Sequence, residues 1–320
     1  MIMPKPLLPG DCVGLIAPAS PIREQEHKAC VIALEHMGYT VIEGESLKQN
    51  ASRYGYLAGD AKTRAKDVND MFANRQIKGI FCTRGGYGSM ELLDYLDYEC
   101  IASNPKVFIG YSDITCLHAA FGKKCGFITF HGPMVKPNLL LEGDILKYNV
   151  DSLQNVLSLR DSLKVDFKNP SGEEIQLLVQ GKKVETKKLE GKLFGGNLSV
   201  LARLLGTPYS PVGNGEILFL EDIGEPVSKI HMYLEQMRYA GMFADIKCIL
   251  LGEFTGCTNE KYDKSLKIHT FFQEWFAPLG IPVLSNICSD HRRCMGTLPL
   301  GAMCRVTIND RKIVFYIDNF

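Results

Sequence analysis

The sequence lacks an excess of charge of either sign. Its 320 residues include 36 lysines and arginines and 36 aspartates and glutamates, so the formal net charge is zero. Nucleic-acid-binding proteins usually carry a basic excess or stripe, and disordered chains and polyanionic tails carry a large net charge. Because 46% of the residues are apolar, the composition is that of an ordinary globular chain, and its length predicts about two domains. We therefore expect a folded protein with no nucleic-acid partner.

Long hydrophobic runs are also missing. No stretch approaches the roughly 18 apolar residues that a membrane helix needs. The N-terminal residues 1–21 are rich in proline, and no apolar run follows a basic start, so they do not resemble a secretory signal. These two absences predict a cytoplasmic protein without membrane contact.

The cysteines lack the paired spacing of a disulfide framework. Their number, 11, is odd and they are scattered along the chain, which is typical of buried thiols in a reducing compartment. Cys288, His291 and Cys294 form one local cluster that could hold a metal ion. No second pair at zinc-finger distance completes four ligands, so we expect no metal there and no other cofactor.

Short apolar runs alternate with amphipathic stretches in the first third of the chain. Strands are predicted over residues 13–17, 39–42, 80–83 and 106–110. One of the helices between them is predicted to begin at Asp60, which can cap it. This alternation indicates βαβ units, so residues 1–150 are predicted to form an α/β domain of the Rossmann or flavodoxin type, a parallel sheet with helices on both faces.

The pattern weakens after residue 137, and residues 151–189 are predicted to be a linker or a surface hairpin. A second, smaller α/β domain with a mixed sheet is expected over residues 190–320. It begins near a predicted glycine turn at 195–197 and ends in a predicted β-hairpin at 304–317. We expect the active site in the cleft between the two domains.

A serine follows directly on one of the predicted strands. The strand ends at Gly110, and Ser112 lies at the start of a helix. A sharp strand-to-helix turn of this kind can present a nucleophilic hydroxyl next to N–H groups that hold an oxyanion. The general motif G-x-S-x-G is absent, since Ile114 stands in place of its second glycine. The alternative is that Ser112 only caps the helix, with Asp113 in its first turn.

Two other predicted strand ends carry groups that could complete a catalytic set. Glu221 and Asp222 end an apolar strand, and because side chains alternate only one of them can face a given site. The alternative is a solvated strand end. His291 lies on a loop after an apolar run, where it could act as a general base near neutral pH. Ser112, Glu221 and His291 together supply a nucleophile, an orienting carboxylate and a base.

Six segments resemble, in the same order, the motifs of one enzyme family. They are TRGGYG at 83–88, GYSDIT at 110–115, HGPM at 131–134, GGNL at 195–198, LFLED at 218–222, and DH at 290–291 with TLPLG at 297–301. The combination resembles the LD-carboxypeptidases, serine peptidase family S66, which include muramoyl-tetrapeptide carboxypeptidase and the microcin C7 self-immunity peptidase. One departure is Asp290, since many relatives have glycine directly before the histidine.

The resemblance implies a Ser–Glu–His triad, which maps onto Ser112, Glu221 and His291. It places the nucleophile on the first domain and the other two residues on the second. It also implies an oxyanion hole of backbone N–H groups, which we expect at Asp113 and at Gly85 or Gly86.

The reaction implied by the resemblance is acyl transfer without a metal. Such an enzyme hydrolyses the L,D-peptide bond that releases terminal D-alanine from murein tetrapeptide, in the recycling of cell-wall peptides. The substrate carboxylate needs a cationic or N–H-rich partner, and Arg84 is a candidate, although it could instead form a structural ion pair. Tyr111 and His131 are further candidates for substrate binding, and His131 is expected to line the cleft. The family also implies a homodimer.

Two other functions stay open at the level of sequence. A microcin-type self-immunity peptidase would cleave an aminoacyl-nucleotide analogue with the same fold and triad. A non-catalytic module that binds a small ligand is motivated by the glycine loop at 84–88, which could receive a phosphate after a strand. The spacing of that loop matches neither G-x-G-x-x-G nor a Walker loop.

Overall fold

The computed structural model describes residues 1–48, 54–157, 163–181, 188–213, 215–258 and 267–317. A six-stranded sheet lies in the first part of the chain. Its strands are β1 (Cys12–Ile16), β2 (Thr40–Glu43), β3 (Ile77–Cys82), β4 (Val107–Gly110), β5 (Thr129–His131) and β12 (Leu298–Leu300). The order β2-β1-β3-β4-β5 is parallel throughout, which is the flavodoxin-like doubly wound arrangement. The predicted parallel sheet is confirmed.

Helices cover both faces of this first sheet. They are α1 (Glu24–His36), α2 (Ala61–Ala73), α3 (Tyr98–Ser103), α4 (Thr115–Lys124) and α5 (Gly143–Leu157). Helix α2 begins as predicted, because the Asp60 side chain accepts a hydrogen bond from the Thr63 N–H at 2.8 Å. Its apolar face then buries Val68, Met71 and Phe72 against the sheet. The sheet therefore lies between two apolar clusters, one on each face.

The second sheet has eight strands and is mixed. Its strands are β6 (Leu163–Phe167), β7 (Gln176–Val179), β8 (Lys188–Asn197), β9 (Ile217–Ile223), β10 (Cys248–Thr255), β11 (Val283–Ser285), β13 (Met303–Thr307) and β14 (Lys312–Ile317). Strands β8, β9, β10 and β11 run parallel, and antiparallel strands extend both sides. Helices α6 (Leu198–Arg203), α7 (Val227–Tyr239) and α8 (Ile268–Phe276) belong to this part of the chain. The predicted hairpin at the end is confirmed as β13 and β14.

The segment expected to be a linker or surface hairpin differs from that expectation. It contains β6 and β7, which pair with β14 and β11 at opposite edges of the second sheet and not with each other. Edge strands are partly exposed and polar, and their partners lie more than a hundred residues away, so local patterning does not reveal them. Residues 158–162 and 182–187 of the expected linker lie outside the described residues.

Two connections cross the expected domain division. Helix α5 runs through residue 150, and β12, from the C-terminal part of the chain, pairs antiparallel with β5 of the first sheet. The two sheets are therefore joined by more than one chain segment, and boundaries at 150 and 190 stay a prediction.

The expected glycine turn at 195–197 is the end of strand β8. Gly195 has a φ of 135°, and a Cβ there would lie 1.9 Å from the Phe219 carbonyl oxygen, so glycine allows β8 to approach β9. A Cβ on Gly196 would lie 2.6 Å from Thr115 Oγ1 on helix α4. Thr115 Oγ1 also accepts a hydrogen bond from the Asn197 N–H at 3.0 Å. These contacts pack the second sheet against the helix that follows Ser112.

Within the described ranges, no helix is both long and apolar enough to span a membrane.

Candidate active site

Ser112 lies on a sharp turn between strand β4 and helix α4. Its φ is +63°, a left-handed conformation that it shares with two other non-glycine residues of the described chain, Asn286 and Arg311. A short 3-10 helix over Ser112–Ile114 leads directly into α4. Ser112 is the first residue of this short helix and not its cap, because the N-cap positions of the 3-10 helix and of α4 are Tyr111 and Ile114. The arrangement is therefore that of a nucleophile turn, with a strained backbone that presents the hydroxyl, and not that of a helix cap.

The glycine loop at 84–88 packs against this turn. A Cβ on Gly85 would lie 2.9 Å from Ser112 Cβ and 3.3 Å from the Asp113 nitrogen, so a side chain there would displace the serine. The carboxylate of Asp113 holds the far end of the loop, because its Oδ2 accepts hydrogen bonds from Ser89 N at 2.8 Å and Ser89 Oγ at 2.7 Å. The loop and the turn are thus fixed to each other.

Buried donors hold the carbonyl groups of the same loop. The Arg64 side chain is fully buried, and its Nη1 donates to Gly88 O and to Pro18 O, both at 2.8 Å. Gly85 O accepts a hydrogen bond from Ser20 N at 3.4 Å. By contrast, the N–H groups of Gly85, Gly86 and Asp113 donate to no acceptor in the part of the chain that the structure describes. They are available to bind an oxyanion beside Ser112.

Glu221 and His291 form a close pair on the second sheet. Glu221 is fully buried near the end of β9, and its Oε2 lies 2.5 Å from His291 Nδ1. Burial raises the pKa of Glu221 above its ordinary value. Burial also opposes the charged form of His291, but the charge and hydrogen bond of Glu221 raise the pKa of His291 above its ordinary value. Because Nδ1 faces Glu221, Nε2 is the ring nitrogen left for proton transfer.

Asp222 points to the other side of strand β9, as alternation predicts. It is 1% exposed, and its carboxylate accepts from Asn197 Nδ2 at 3.0 Å and from Ser199 N at 2.9 Å. The alternative of a solvated strand end is wrong, since both carboxylates are buried. Asp222 anchors the start of helix α6, and Glu221 alone contacts His291.

The two halves of the site open on one cavity of about 590 Å³. Ser112 and Gly85 line it from the first sheet, and His291 and Asp222 line it from the second. Ser112 and His291, both described residues, do not hydrogen-bond to each other. In enzymes without bound substrate this bond is often long and shortens in the substrate complex, so the geometry suits a nucleophile and a base that approach each other across a cleft.

Arg84 and Tyr111, two of the expected substrate-binding residues, line this cavity. Arg84 forms no ion pair with any residue of the described ranges, so the expected alternative of a structural ion pair is not seen. Tyr111 is 4% exposed, and its ring centroid lies 5.0 Å from that of His291. These positions leave the Arg84 guanidinium free for a ligand and place Tyr111 against the His291 imidazole.

His131 is fully buried, so the prediction that it lines the cleft is wrong. Its Nε2 lies 3.2 Å from the Ser289 carbonyl oxygen, and its ring packs on Phe219 and Tyr111. Burial lowers its pKa well below the ordinary value, which keeps the ring neutral. Its place at the end of β5 points it into the packing between the sheets and away from the cavity.

The thiol of Cys288, in the cysteine cluster beside His291, is buried and protonated. Cys288 is buried, its Sγ donates to the Cys294 carbonyl oxygen at 3.3 Å, and burial raises its pKa to about 12. A protonated thiol is a poor metal ligand at neutral pH. In the described ranges, no three His, Cys, Asp or Glu side chains are grouped so as to hold a metal ion.

Several charged residues of the cavity were not found from the sequence. They are Lys136, Arg203, Glu225 and Lys229. Glu225 lies 3.7 Å from Arg203 and 3.5 Å from Lys229, and Lys136 lies 3.2 Å from Glu26. They occupy loops and helix faces, where charged residues are common, so no pattern marks them. Asn197 could have been found, because it belongs to the matching segment 195–198.

The chain is similar to known proteins over most of its length. Residues 13–132 match the model of the LD-carboxypeptidase N-terminal domain, and residues 190–306 match that of the C-terminal domain. The chain is 34% identical over 311 residues to the "Probable murein peptide carboxypeptidase" of Bacillus subtilis strain 168, covering 97% of this chain and 93% of that protein. It is 32% identical over 293 residues to the murein tetrapeptide carboxypeptidase of Pseudomonas aeruginosa, covering 90% and 91%.

A solved structure shows the same fold. The wild-type apo form of the microcin C7 self-immunity protein MccF superposes with a TM-score of 0.89 at 26% identity, covering 99% of each chain. Two domain models that together span most of the sequence, and relatives above 30% identity along nearly all of it, show that this chain belongs to the LD-carboxypeptidase family.

Proposed function

We propose that this protein is a serine LD-carboxypeptidase that releases terminal D-alanine from murein tetrapeptide, with Ser112, Glu221 and His291 as its catalytic residues. The observation that carries the proposal is the cavity itself. A strained serine turn with unused amide N–H groups faces, across it, a histidine held at 2.5 Å by a buried glutamate. Names of relatives that act on murein peptides support the choice of substrate.

In the acylation step, His291 Nε2 takes the proton of Ser112 Oγ. The oxygen then attacks the carbonyl carbon of the bond between the L-centre of a diamino acid and D-alanine. The negative charge that develops on the carbonyl oxygen is held by N–H groups of Asp113 and of Gly85 or Gly86, and Glu221 stabilises the imidazolium. Because these donors are fixed before substrate binds, they need little reorganisation during the reaction.

Breakdown of the tetrahedral intermediate uses the same histidine. His291 gives its proton to the leaving nitrogen, and D-alanine departs with a free amino group. A water molecule, deprotonated by His291, then attacks the acyl-Ser112 ester and releases the shortened peptide. The serine and the histidine return to their starting protonation states, so no metal or other cofactor is required.

Cations in the cavity suit a substrate with carboxylates. Arg84 lines the cavity without an ion-pair partner among the described residues, so its guanidinium can bind the D-alanine carboxylate in bidentate fashion. Tyr111 limits the space beside His291. Lys136 and Arg203 also line the walls, but each already lies beside a glutamate, so Arg84 is the cation best placed to bind the substrate carboxylate.

The test is product analysis on purified protein. We expect release of D-alanine from the tetrapeptide, but not from the tripeptide, which lacks that residue, and little release from the pentapeptide. Ser112→Ala removes the nucleophile and is expected to lower turnover by about 10⁴-fold or more. Equal D-alanine release by the Ser112→Ala protein would exclude the triad.

A second candidate activity is supported by the close structural match to MccF. That protein has been solved in complex with aspartyl sulfamoyl adenosine. An enzyme of this type would cleave an aminoacyl-nucleotide analogue with the same three residues. Comparing kcat/KM for the tetrapeptide and for an aminoacyl sulfamoyl nucleoside distinguishes the two, since the murein proposal requires the larger value on the peptide.

Location and assembly belong to the same proposal. We infer a cytoplasmic enzyme of peptide recycling, which agrees with eleven cysteines that are all free thiols. The family resemblance also implies a homodimer. Sedimentation velocity on the purified protein checks the dimer, and a monomer over the whole concentration range would contradict it.

A further inference from the structure

Asp290 lies directly before the proposed catalytic histidine, on the loop that follows strand β11. It is fully buried, which is costly for a carboxylate unless its oxygens are hydrogen-bonded. Both oxygens are engaged: Oδ1 accepts from Arg292 N at 2.9 Å, and Oδ2 accepts from Glu253 N at 3.0 Å. The Asp290 carboxylate therefore holds two backbone segments, the one after His291 and strand β10.

The bond to Glu253 ties the histidine loop to strand β10. Glu253 lies where the pairing of β10 with β9 shifts its register, between Leu251 and Phe254. Strand β9 carries Glu221, the partner of His291. The loop has a second bond to the same strand further from the histidine, since Ile287 N donates to Leu251 O at 3.0 Å. The Asp290 bond is the one next to His291, and it fixes the loop that bears the imidazole to β10, the neighbour of the strand that bears Glu221.

Gly252 of strand β10 lies in close contact with both Glu221 and Asp290. A Cβ on Gly252 would lie 3.0 Å from Glu221 Cβ and 3.2 Å from Asp290 Cβ. The bare backbone of β10 thus lies between the two acidic side chains and sets the distance between them. A loop attached to this backbone has little freedom to move its histidine away from Glu221.

Arg292 completes the tie from the other side. Its Nε donates to Asp290 Oδ1 and its Nη2 to Oδ2, both at 3.0 Å, while Nη1 reaches Glu173 at 2.8 Å. The two-pronged pair offsets the cost of burying the carboxylate. The N–H of Arg292 also bonds to this carboxylate, so the side chain of Asp290 fixes the backbone turn of residues 290–292, which includes His291.

We propose that Asp290 is a positioning residue that holds the His291 imidazole against Glu221 by tying its loop to strand β10 and to Arg292. The inference rests on the proposed catalytic role of His291. Asp290 touches neither the cavity nor a reacting atom.

The kinetic test compares Asp290→Ala with a matched loss of a buried carboxylate elsewhere. Asp67 is 4% exposed and accepts from Glu45 N and Ser46 N, both at 2.8 Å, away from the cavity. Asp290→Ala is expected to lower kcat for D-alanine release by about 10²-fold with little change in KM, because misplacing a catalytic group by about 1 Å costs that much. Asp67→Ala is expected to lower stability and leave kcat unchanged. Asp290→Asn keeps one acceptor and is expected to restore part of kcat.

A spectroscopic test does not depend on the substrate. In protein with ¹⁵N-labelled histidine, the Nδ1 proton of His291 is expected at low field because of Glu221, and His291→Gln assigns the signal. Asp290→Ala is expected to shift or broaden it, and Asp67→Ala to leave it in place. An unchanged signal in Asp290→Ala overturns the positioning role. If the wild-type protein shows the signal but releases no D-alanine, the proposed function fails, and the signal alone decides the role of Asp290.

Discussion

The two walls of the cavity are built in different ways. On the serine wall, short-range backbone geometry does the positioning: Ser112 has a left-handed φ, and the adjacent glycine loop offers N–H groups. On the histidine wall, side chains do it, since Glu221 and Asp290 are both fully buried and bonded to partners from other segments. The comparison teaches that backbone conformation at two neighbouring strand ends can place a nucleophile, whereas a base that must be neutral and then charged needs a buried electrostatic network around it.

The largest expected effect comes from replacing Glu221, the carboxylate of the histidine wall. Glu221→Gln is expected to lower kcat by about 10⁴-fold, because an amide cannot stabilise the imidazolium or hold the required tautomer. Turnover of tetrapeptide measures the loss, with circular dichroism to show that the fold persists. Glu216→Gln, just before the same strand and paired with Lys247 at the surface, is the control and is expected to keep full activity. Activity within tenfold of wild type in Glu221→Gln would contradict this wall's role.

A change in the glycine loop of the serine wall is expected to lower kcat by a smaller factor. Gly85→Ala places a methyl group 2.9 Å from Ser112 Cβ, so the loop must move away and its N–H groups with it. The loss of an oxyanion donor lowers kcat by about 10²–10³-fold. The control is Gly122→Ala in helix α4, where the nearest atom to the new Cβ lies at 3.7 Å. If both variants keep the wild-type kcat, the loop is not part of the oxyanion hole.

The pH dependence of kcat/KM measures how strongly Glu221 acts on His291. Glu221 raises the pKa of His291 above its ordinary value of 6.5 in spite of burial, which acts in the opposite direction. The base must be neutral, so kcat/KM is expected to fall as pH drops through a value above 6.5, about tenfold for each further pH unit. The midpoint of the acid limb of kcat/KM measures this. A midpoint at or below 6.5 would show that the pair does not hold the proton as the structure implies.

The smallest expected effect concerns the carboxylate that faces away from His291. Asp222→Ala leaves the buried donors Asn197 Nδ2 and Ser199 N without their acceptor, which is expected to lower the free energy of unfolding by about 1–3 kcal/mol. Activity is expected to fall far less than in Glu221→Gln. Urea unfolding gives the first quantity, and Asp70→Ala, an exposed carboxylate on α2, is the control with almost no change. Equal kinetic losses at the two neighbouring carboxylates would contradict the division of roles along β9.

Much of the first sheet could be predicted from the sequence, because its central strands β1, β3 and β4 are buried apolar runs that alternate with helices. Asp60 was predicted as a helix cap from local residues alone, and the structure confirms it. Strands β6 and β7 could not be predicted, since they are partly polar edges whose partners β14 and β11 lie far along the chain. Local patterns report burial against a nearby face and carry no information about a distant partner.

The candidate site divides in the same way. Ser112, Glu221 and His291 could be chosen because polar residues that follow apolar strands tend to gather at one edge of a sheet. The burial of His131 and the tie from Asp290 to Glu253 could not, because each depends on which segment packs against it. The free guanidinium of Arg84 is likewise a property of its surroundings.

The sequence by itself determined the residue types, the strand ends that carry them and the family to which they belong. Only the tertiary structure decided that Asp222 is buried at the start of helix α6, that His131 is excluded from the cavity, and that Asp290 is tied to β10. The physical reason is that hydrogen bonds and charge interactions depend on distances of a few ångströms and on burial. Residues far apart in the sequence reach those distances only when the two sheets pack together.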